Sequence, residues 1–313
     1  MFRYLSSKSE ERELGFGRTL TTEGRLMNAD GSFNVVRERS TIWDNTYNHL
    51  ITMPSWIFSL VLLLSFILIN CFFASIYCLI GIEGLNGIVP NTSIVNFFNA
   101  FFFSSQTLTT VGYGHISPNG WGTSIAASFE SFIGLLLFAL ISGLLYGRFS
   151  RPSAKIIFSE NALISPYKGN NGLMFRLINA RRSEMIETDA QVILTVNQPD
   201  ENGNISRRFY TLDLEISKLS FFSLSWTIVH PISEKSPLFG FSETDFKETN
   251  LELMILVKGT EDTNQQTVHA RTSYVADEII WNAKFLPIIT KNAKQVPKVM
   301  TTKVSHYEKL DTL

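Results

Sequence analysis

Thr110-Val111-Gly112-Tyr113-Gly114 is a short run whose useful chemistry lies in its backbone. Glycine at every second position admits conformations that side chains forbid, so successive carbonyls can turn toward one axis. A stack of such oxygens can replace the hydration shell of a cation that has shed its water. The Thr110 hydroxyl adds a further oxygen at the inner end. One loop cannot encircle an ion, so this chemistry implies a ring of four chains.

The elements around the run must carry it to the ion path. Ile94 to Leu108 is apolar and aromatic-rich but too short to cross a bilayer, which suits a re-entrant helix. Its C-terminal, negative end points at the run and favours a cation there. Val111 and Tyr113 are expected to turn away from the axis and pack on this Phe-rich helix. Upstream, Asp44 to Glu83 contains no Asp, Glu, Lys or Arg between its ends. Trp56 to Ile80 inside it reaches roughly 37 Å as a helix, enough to cross with tilt. Downstream, Gly122 to Phe149 is a second span with one acid, Glu130. Non-helical backbone at membrane depth survives only when it lines a cavity, so the run must surround ions.

Charge sets the orientation. Seven basic residues precede Asp44, Arg148, Arg151 and Lys155 follow the second span, and Gly81 to Trp121 has no Lys or Arg. The positive-inside rule puts both termini in the cytoplasm, the 81–121 loop outside and the chain in the cell (inner) membrane as a multi-pass protein. Thr41-Ile42-Trp43-Asp44 opens an interfacial amphipathic helix over 41–53, with Trp43, Tyr47, Leu50 and Ile51 on one face. Cys71 and Cys78 lie seven apart on one face of the first span and read as apolar filler.

The whole chain agrees with a membrane protein. Of its 313 residues 45% are hydrophobic and 18% charged, with a net charge of −1, which argues against a phosphate-dominated nucleic-acid binder. The first residues have no apolar h-region, so no cleavable signal peptide is expected. From Ala154 onward come β-rich runs: AKIIFS, GLMFRLINA, AQVILTV, FYTLDLEI, LELMILV and QTVHARTSYV. Asn170-Asn171-Gly172 and Asp200-Glu201-Asn202-Gly203 read as the turns between them. Strands without long intervening helices imply a β-sandwich, and the tail after Lys291 reads as loosely ordered. The five histidines are scattered, His230 and His269 read as packed, and no GxSxG, P-loop or HExxH occurs, so no enzyme is expected.

With these residues in view, the chain resembles the inward-rectifier potassium channels. TVGYG matches the filter string shared by many potassium channels. SLSWTIVHPISEKSPLFG (223–240) and VHARTSYVADEIIWNAKF (268–285) resemble that family's cytoplasmic signatures, as do YGRFSRPSAKIIFS and NADGSFNVV. An external loop without cysteine points to the prokaryotic, KirBac-type branch. The resemblance covers about residues 28–288.

The resemblance implies a homotetramer with a membrane α-helical pore domain over 54–152 and an all-β immunoglobulin-like cytoplasmic domain over 153–290. Residues 1–40 precede the interfacial (slide) helix, and 291–313 form the tail. Potassium is the permeant ion, held by the carbonyls of Thr110, Val111, Gly112 and Tyr113, with Gly114 closing the filter. No organic cofactor and no nucleic-acid partner are implied. Tyr146 and Phe138 would ring the inner pore as gates, and Gly134 and Gly143 are bend points. Arg37, Arg39, Arg148, Arg151 and Lys155 would meet anionic phospholipid headgroups. Glu130 lies behind the pore helix, where a structural hydrogen bond is expected. Glu187 and Asp262 match cytoplasmic pore acids, while Phe138 takes the place of the cavity acid, so weak block by Mg²⁺ or polyamines is expected. Gln106 and His115 stand where prokaryotic relatives carry Glu and Asp. The wider class of voltage-gated channels is implied as well. The rival reading is a membrane-anchored β-sandwich sensor with a non-conducting pore.

Overall fold

The computed structural model describes residues 24–35, 46–150, 154–181, 183–199, 205–263, 265–291, 295 and 297–310. The chain divides into two compact units, 38–151 and a second formed by 1–37 with 152–313.

The first unit is helical. A short helix α1 (Thr46–Thr52) precedes Pro54, whose fixed φ makes it a natural residue ahead of α2 (Ser55–Ile80). α2 ends at Gly81, whose φ of 117° no side-chain-bearing residue adopts comfortably. The short helix α3 (Ser93–Leu108) is entered through asparagines. Asn91 N–H donates to Asn96 Oδ1 at 2.9 Å, and Asn96 Nδ2 returns a bond to the Asn91 carbonyl at 3.0 Å. A two-residue ribbon of β1 (Leu85–Asn86) and β2 (Ser117–Pro118) clasps the loop on either side of α3. α4 (Trp121–Phe149) runs unbroken for 29 residues. Phe73, Ala74, Tyr77, Ile82, Leu85, Ala100, Phe103 and Ala127 form the buried centre where the three longer helices meet. Both α2 and α4 are long and apolar enough to cross a membrane.

The second unit is a sandwich of two sheets. In chain order its strands are β3 (Ile156–Phe158), β4 (Ala162–Tyr167), β5 (Asn170–Asn179), β6 (Met185–Pro199), β7 (Ile205–Leu212), β8 (Lys218–Phe222), β9 (Ser225–Ile232), β10 (Glu252–Glu261), β11 (Gln266–Val275) and β12 (Ile279–Trp281). One sheet runs β11-β10-β6-β7 with β8 also on β6, and the other runs β12-β4-β5-β3 with β9 also on β5. Alternating side chains from both faces fill the space between, among them Phe175, Leu194, Val257 and Tyr274. This is the β-sandwich that the strand runs imply.

Three sequence readings need correction. Asn170-Asn171-Gly172 is not a turn but the first part of β5. The reversal sits two residues earlier, where Lys168 and Gly169 both have positive φ (46° and 84°), the requirement of a two-residue hairpin loop. Asp200 to Gly203 lie outside the described residues. FYTLDLEI is strand only as far as Leu212, because the next carbonyl, Asp213, is taken by His230 Nδ1 at 2.6 Å. The tail after Lys291 returns to the domain. β13 (Ala283–Phe285) pairs with β16 (Tyr307–Lys309), β14 (Ile289–Lys291) pairs with β15 (Pro297–Val299), and Val304 is buried with Ile178 and Ile288. Scattered apolar residues in a polar run are a weak signal, so long-range pairing decides this segment.

Residues 24–35 dock on the same unit. The Glu252 carboxylate accepts the N–H groups of Leu26 and Met27 at 2.8 and 2.9 Å, and is itself paired with Arg207 at 2.7 Å. Arg25 completes the attachment through Glu278 at 2.8 Å and the Ser273 carbonyl at 2.6 Å.

Candidate functional site

The last turn of α3 sets the conformation of residues 110–114. Thr110 N–H donates to the Thr107 carbonyl at 3.1 Å, and the Gln106 carbonyl accepts from Val111 at 2.9 Å and Gly112 at 3.3 Å. The run then alternates in hand. Thr110, Gly112 and Gly114 have φ of 61°, 52° and 78°, while Val111 and Tyr113 are not left-handed. In a β-strand successive carbonyls face opposite ways. Reversing the hand at every second residue removes that alternation and lets them face one way. Holding Thr110 in this region costs on the order of 1–2 kcal/mol, which the two bonds to Gln106 and the one to Thr107 help to offset. A Cβ on Gly112 or Gly114 would meet no atom of the protomer, so the backbone and not crowding requires glycine.

Val111 and Tyr113 are left open in the single chain. Their side chains are 53% and 78% exposed in the single chain. The inward-facing α3 aromatic, Phe103, is instead buried against Tyr77 of α2 with ring centroids 5.0 Å apart.

Behind α3 lies a buried polar cluster. The Tyr77 hydroxyl donates to Glu130 Oε2 at 2.6 Å, and the Ser104 hydroxyl bonds the other carboxylate oxygen. Ser104 Oγ also lies 2.9 Å from Asn70 Oδ1, whose amide nitrogen donates to the Phe66 carbonyl at 2.7 Å. Glu130 therefore bonds the short helix, and one carboxylate joins α2, α3 and α4. The sequence reading missed Tyr77 and Ser104 as its partners, and Asn70 as the residue that Ser104 also meets. The signal was present in Asn70, a polar residue amid an apolar span.

The remaining expected residues fall in different settings. Phe138 and Tyr146 on α4 are 72% and 74% exposed in the single chain. Gly134 has a packing reason to be glycine, because a Cβ there would collide with the Leu108 carbonyl at the end of α3. Gly143 faces open space, and α4 does not break at either glycine. Gly147, which the sequence reading passed over, lets α1 close in: a Cβ would stand 3.2 Å from the Tyr47 hydroxyl and 3.3 Å from Ile51 Cδ1.

Arg148 is engaged within the protein. Its Nη1 donates to the carbonyls of Leu50 at 2.8 Å and Ile51 at 3.2 Å, and its Nη2 to the Met53 carbonyl at 2.9 Å and Ser55 Oγ at 3.2 Å. The guanidinium also lies 4.5 Å from the Phe58 ring centroid. The orphan carbonyls of Leu50 and Ile51 in the last turn of α1 accept from its Nη1. Lys155 is exposed. Arg37, Arg39 and Arg151 lie outside the described residues, as do Thr41 to Asp44.

Glu187 and Asp262 come to one end of the β10–β6 pair, where Glu261 faces Met185. Glu187 sits on a bulge with φ of 49°, opposite Gly259, where the ladder shifts register. A Cβ on Gly259 would stand 2.9 Å from Thr188 Oγ1, so the bulge needs glycine across from it. Among the described residues no cluster of three or more His, Cys, Asp or Glu could hold a metal ion within one chain.

Residues 156–312 match the family described as the inward rectifier potassium channel C-terminal domain, and 56–150 match the ion channel family. The chain belongs to the inward rectifier potassium channel family. It is 35% identical over 269 residues to inward rectifier potassium channel Kirbac3.1 of Paramagnetospirillum magnetotacticum, covering 85% of this chain and 90% of that protein. It is 27% identical to G protein-activated inward rectifier potassium channel 2 of Pongo abelii, over 89% of this chain and 71% of the relative. ATP-sensitive inward rectifier potassium channel 12 of Gallus gallus is 30% identical over 76% of this chain and 59% of its own. Among solved structures, the sporulation control protein Spo0M of Bacillus subtilis covers 42% of this chain and 50% of its own at 12% identity, with a TM-score of 0.22 that bears no argument. The likeness to Kirbac3.1 supports the prokaryotic branch, and membership of this family disfavours the sensor reading. The voltage-gated label does not hold. A voltage sensor needs a row of arginines in a span, whereas α2 carries no charge and α4 only Glu130 and Arg148.

Proposed function

We propose that the chain forms a homotetrameric, potassium-selective channel of the inward-rectifier type, with residues 110–114 as its filter. The observation that carries this reading is the alternating hand of Thr110, Gly112 and Gly114, stapled to the end of α3. Four such runs around an axis would give rings of carbonyl oxygens from Thr110, Val111, Gly112 and Tyr113 to replace the water of K⁺. The exposed Val111 and Tyr113 side chains would then pack against neighbouring copies. Tyr146, with Phe138 above it, would narrow the inner pore as apolar and aromatic rings. Both termini would face the cytoplasm, and Lys155, with Arg37, Arg39 and Arg151, would meet anionic headgroups. Mg²⁺ and polyamines would act only as weak blockers.

The test is K⁺ flux into liposomes holding the purified protein. Barium-sensitive K⁺ uptake that excludes Na⁺ is expected, and Gly112→Ala should abolish it with tetramers intact. Tetramers that carry no barium-sensitive flux would overturn the reading.

A further inference from the structure

The Ser104 hydroxyl faces two acceptors and has one proton. Its oxygen stands within hydrogen-bond reach of Glu130 Oε1 and 2.9 Å from Asn70 Oδ1. A serine hydroxyl donates only once. Asn70 cannot supply the missing proton by turning its amide over. Its Nδ2 donates to the Phe66 carbonyl at 2.7 Å, and a carbonyl only accepts, so Oδ1 must be the atom that faces Ser104. Tyr77 cannot supply it either, because its single hydroxyl proton goes to Glu130 Oε2 at 2.6 Å, on the other side of the carboxyl.

With Glu130 ionised, Oε1 and Asn70 Oδ1 would compete for one proton and leave a buried oxygen without a donor. With a proton on Oε1, every group is served. Oε1–H donates to Ser104 Oγ, Ser104 O–H donates to Asn70 Oδ1, and Tyr77 O–H donates to Oε2. The surroundings offer a charge nothing to pair with. Asn70, Tyr77, Ser104 and Glu130 are fully buried. α2 and α3 contain no Lys, Arg or His, and α4 contains only Arg148, at its far end and bonded to α1. A buried charge without a partner is strongly disfavoured.

We propose that Glu130 is a neutral carboxylic acid at neutral pH and, as such, a positioning residue of the filter. It heads a one-way chain, Glu130 to Ser104 to Asn70 to the Phe66 carbonyl, that seats α3 on α2. Ser104 lies one helical turn from the end of α3 and two residues before Gln106, whose carbonyl holds Val111 and Gly112. The chain thus fixes the turn from which the filter hangs, and this role rests on the tetrameric-channel reading above. A neutral acid also places no charge behind the filter, where a low dielectric would carry its field to the ions. Attraction of K⁺ is left to the carbonyls.

The experiment is infrared spectroscopy of the full-length protein, purified as tetramers at neutral pH, with unitary currents recorded from the same preparations. Wild type should show the carbonyl stretch of a protonated carboxyl, and Glu130→Gln should lose it. Glutamine offers an N–H where the acid offers its O–H, and a carbonyl where Tyr77 donates. This variant should therefore assemble and keep the wild-type K⁺ current and K⁺-over-Na⁺ selectivity. Tyr77→Phe keeps the ring that packs on Phe103 and should move the band to higher frequency, because Oε2 loses its donor. Ser104→Ala cuts the chain in the middle and should lower K⁺-over-Na⁺ selectivity.

A wild-type spectrum without the band, or a band that persists in Glu130→Gln or stands still in Tyr77→Phe, overturns the neutral acid. So does a reduced current in assembled Glu130→Gln tetramers, which would reveal a charge acting on the ions. Failure of that variant to assemble overturns it too, since glutamine reproduces every bond. Unchanged selectivity in Ser104→Ala overturns the positioning role. Absence of barium-sensitive flux in wild type overturns the channel reading and the positioning role with it, while the infrared band still decides the state of the acid.

Discussion

The Arg148 guanidinium at the end of α4 donates to the Leu50 carbonyl of α1 at 2.8 Å, bridging residues 98 apart in the chain. α1 is too short to hold its shape alone, and its last carbonyls have no partner within the helix. A cation placed there satisfies them and opposes the helix dipole. Because the same fork reaches Ile51, Met53 and Ser55, the end of α4 is tied at four oxygens to the segment that runs from α1 to the first residue of α2.

Arg148→Lys separates this role from a general need for positive charge. Lysine keeps the charge but cannot fork across four oxygens. We expect Arg148→Lys and Arg148→Ala to lower tetramer stability by a similar amount, about 1–2 kcal/mol. Thermal unfolding in detergent reads this. If Arg148→Lys matched wild type while Arg148→Ala did not, charge alone would matter and the fork would be incidental.

Gly134→Ala should be damaging for a steric reason. The new Cβ would meet backbone, the Leu108 carbonyl, which cannot rotate out of the way as a side chain could. Either α4 or the end of α3 must shift, at about 1–3 kcal/mol. Since Leu108 lies two residues before Thr110, loss of K⁺-over-Na⁺ selectivity should accompany the loss of stability. Gly143→Ala is the control: its Cβ would face open space, and it should raise stability slightly through better helix propensity. Equal effects of the two substitutions would contradict the packing account of Gly134.

How much was legible beforehand depended on how local each signal was. The gap in charge from Asp44 to Glu83 and the string Thr110 to Gly114 are contiguous, and both spans and the candidate filter could be read from them. The Gln266–Val275 strand was equally plain from its β-branched and aromatic content. The hairpin at Lys168-Gly169 was misplaced because Asn-Asn-Gly is the stronger turn signal in isolation, yet Asn171 and Gly172 pair with Ile232 and Pro231 of β9. Arg148 looked like any juxtamembrane basic residue, since nothing local says that its donors meet the end of α1. Glu130 was visible as an acid in a span, but its two partners on two other helices, Tyr77 and Ser104, were not.

His230 predicts a pH dependence of the β domain. Burial pushes its imidazole below the ordinary range, against the weaker opposing effect of the Asp213 carbonyl. A carbonyl only accepts, so Nδ1 carries the proton toward Asp213, and Nε2 accepts from the Ser236 hydroxyl at 2.7 Å. The folded state thus favours the neutral ring. As pH falls through the ordinary imidazole range, the unfolded chain takes up a proton that the folded chain refuses, so stability falls. It levels off once pH is below the folded value. The melting temperature of the β domain in the intact channel, followed by tryptophan fluorescence, should decline from pH 7 to pH 5. His230→Asn should be less stable at pH 7 but show a flatter profile. An equal slope in both proteins would place the proton elsewhere.

Block by polyamines should be weak, and the reason lies in where charge is missing. Tight cavity block needs Coulomb attraction on the inner helix, and Phe138 supplies none to a dication. Glu187 and Asp262 lie at one end of the β10–β6 pair, both exposed, and four copies of each would concentrate cations there. Wide, salty water screens such charges within about 8 Å, so the field they set up is shallow. The bulge that carries Glu187 depends on Gly259, so Gly259→Ala should move that acid as well as remove room beside Thr188. We expect spermine to block only at high micromolar to millimolar concentration with little voltage dependence, and Glu187→Gln, Asp262→Asn and Gly259→Ala each to weaken it further by a fewfold, roughly the loss of one screened charge per subunit. Recordings in a planar bilayer with spermine on the side of the β domain decide the matter. Steeply voltage-dependent block at low micromolar spermine would show that a charge-free cavity can hold a polyamine after all, and that the dehydrated Phe138 ring attracts it through the faces of its aromatic rings.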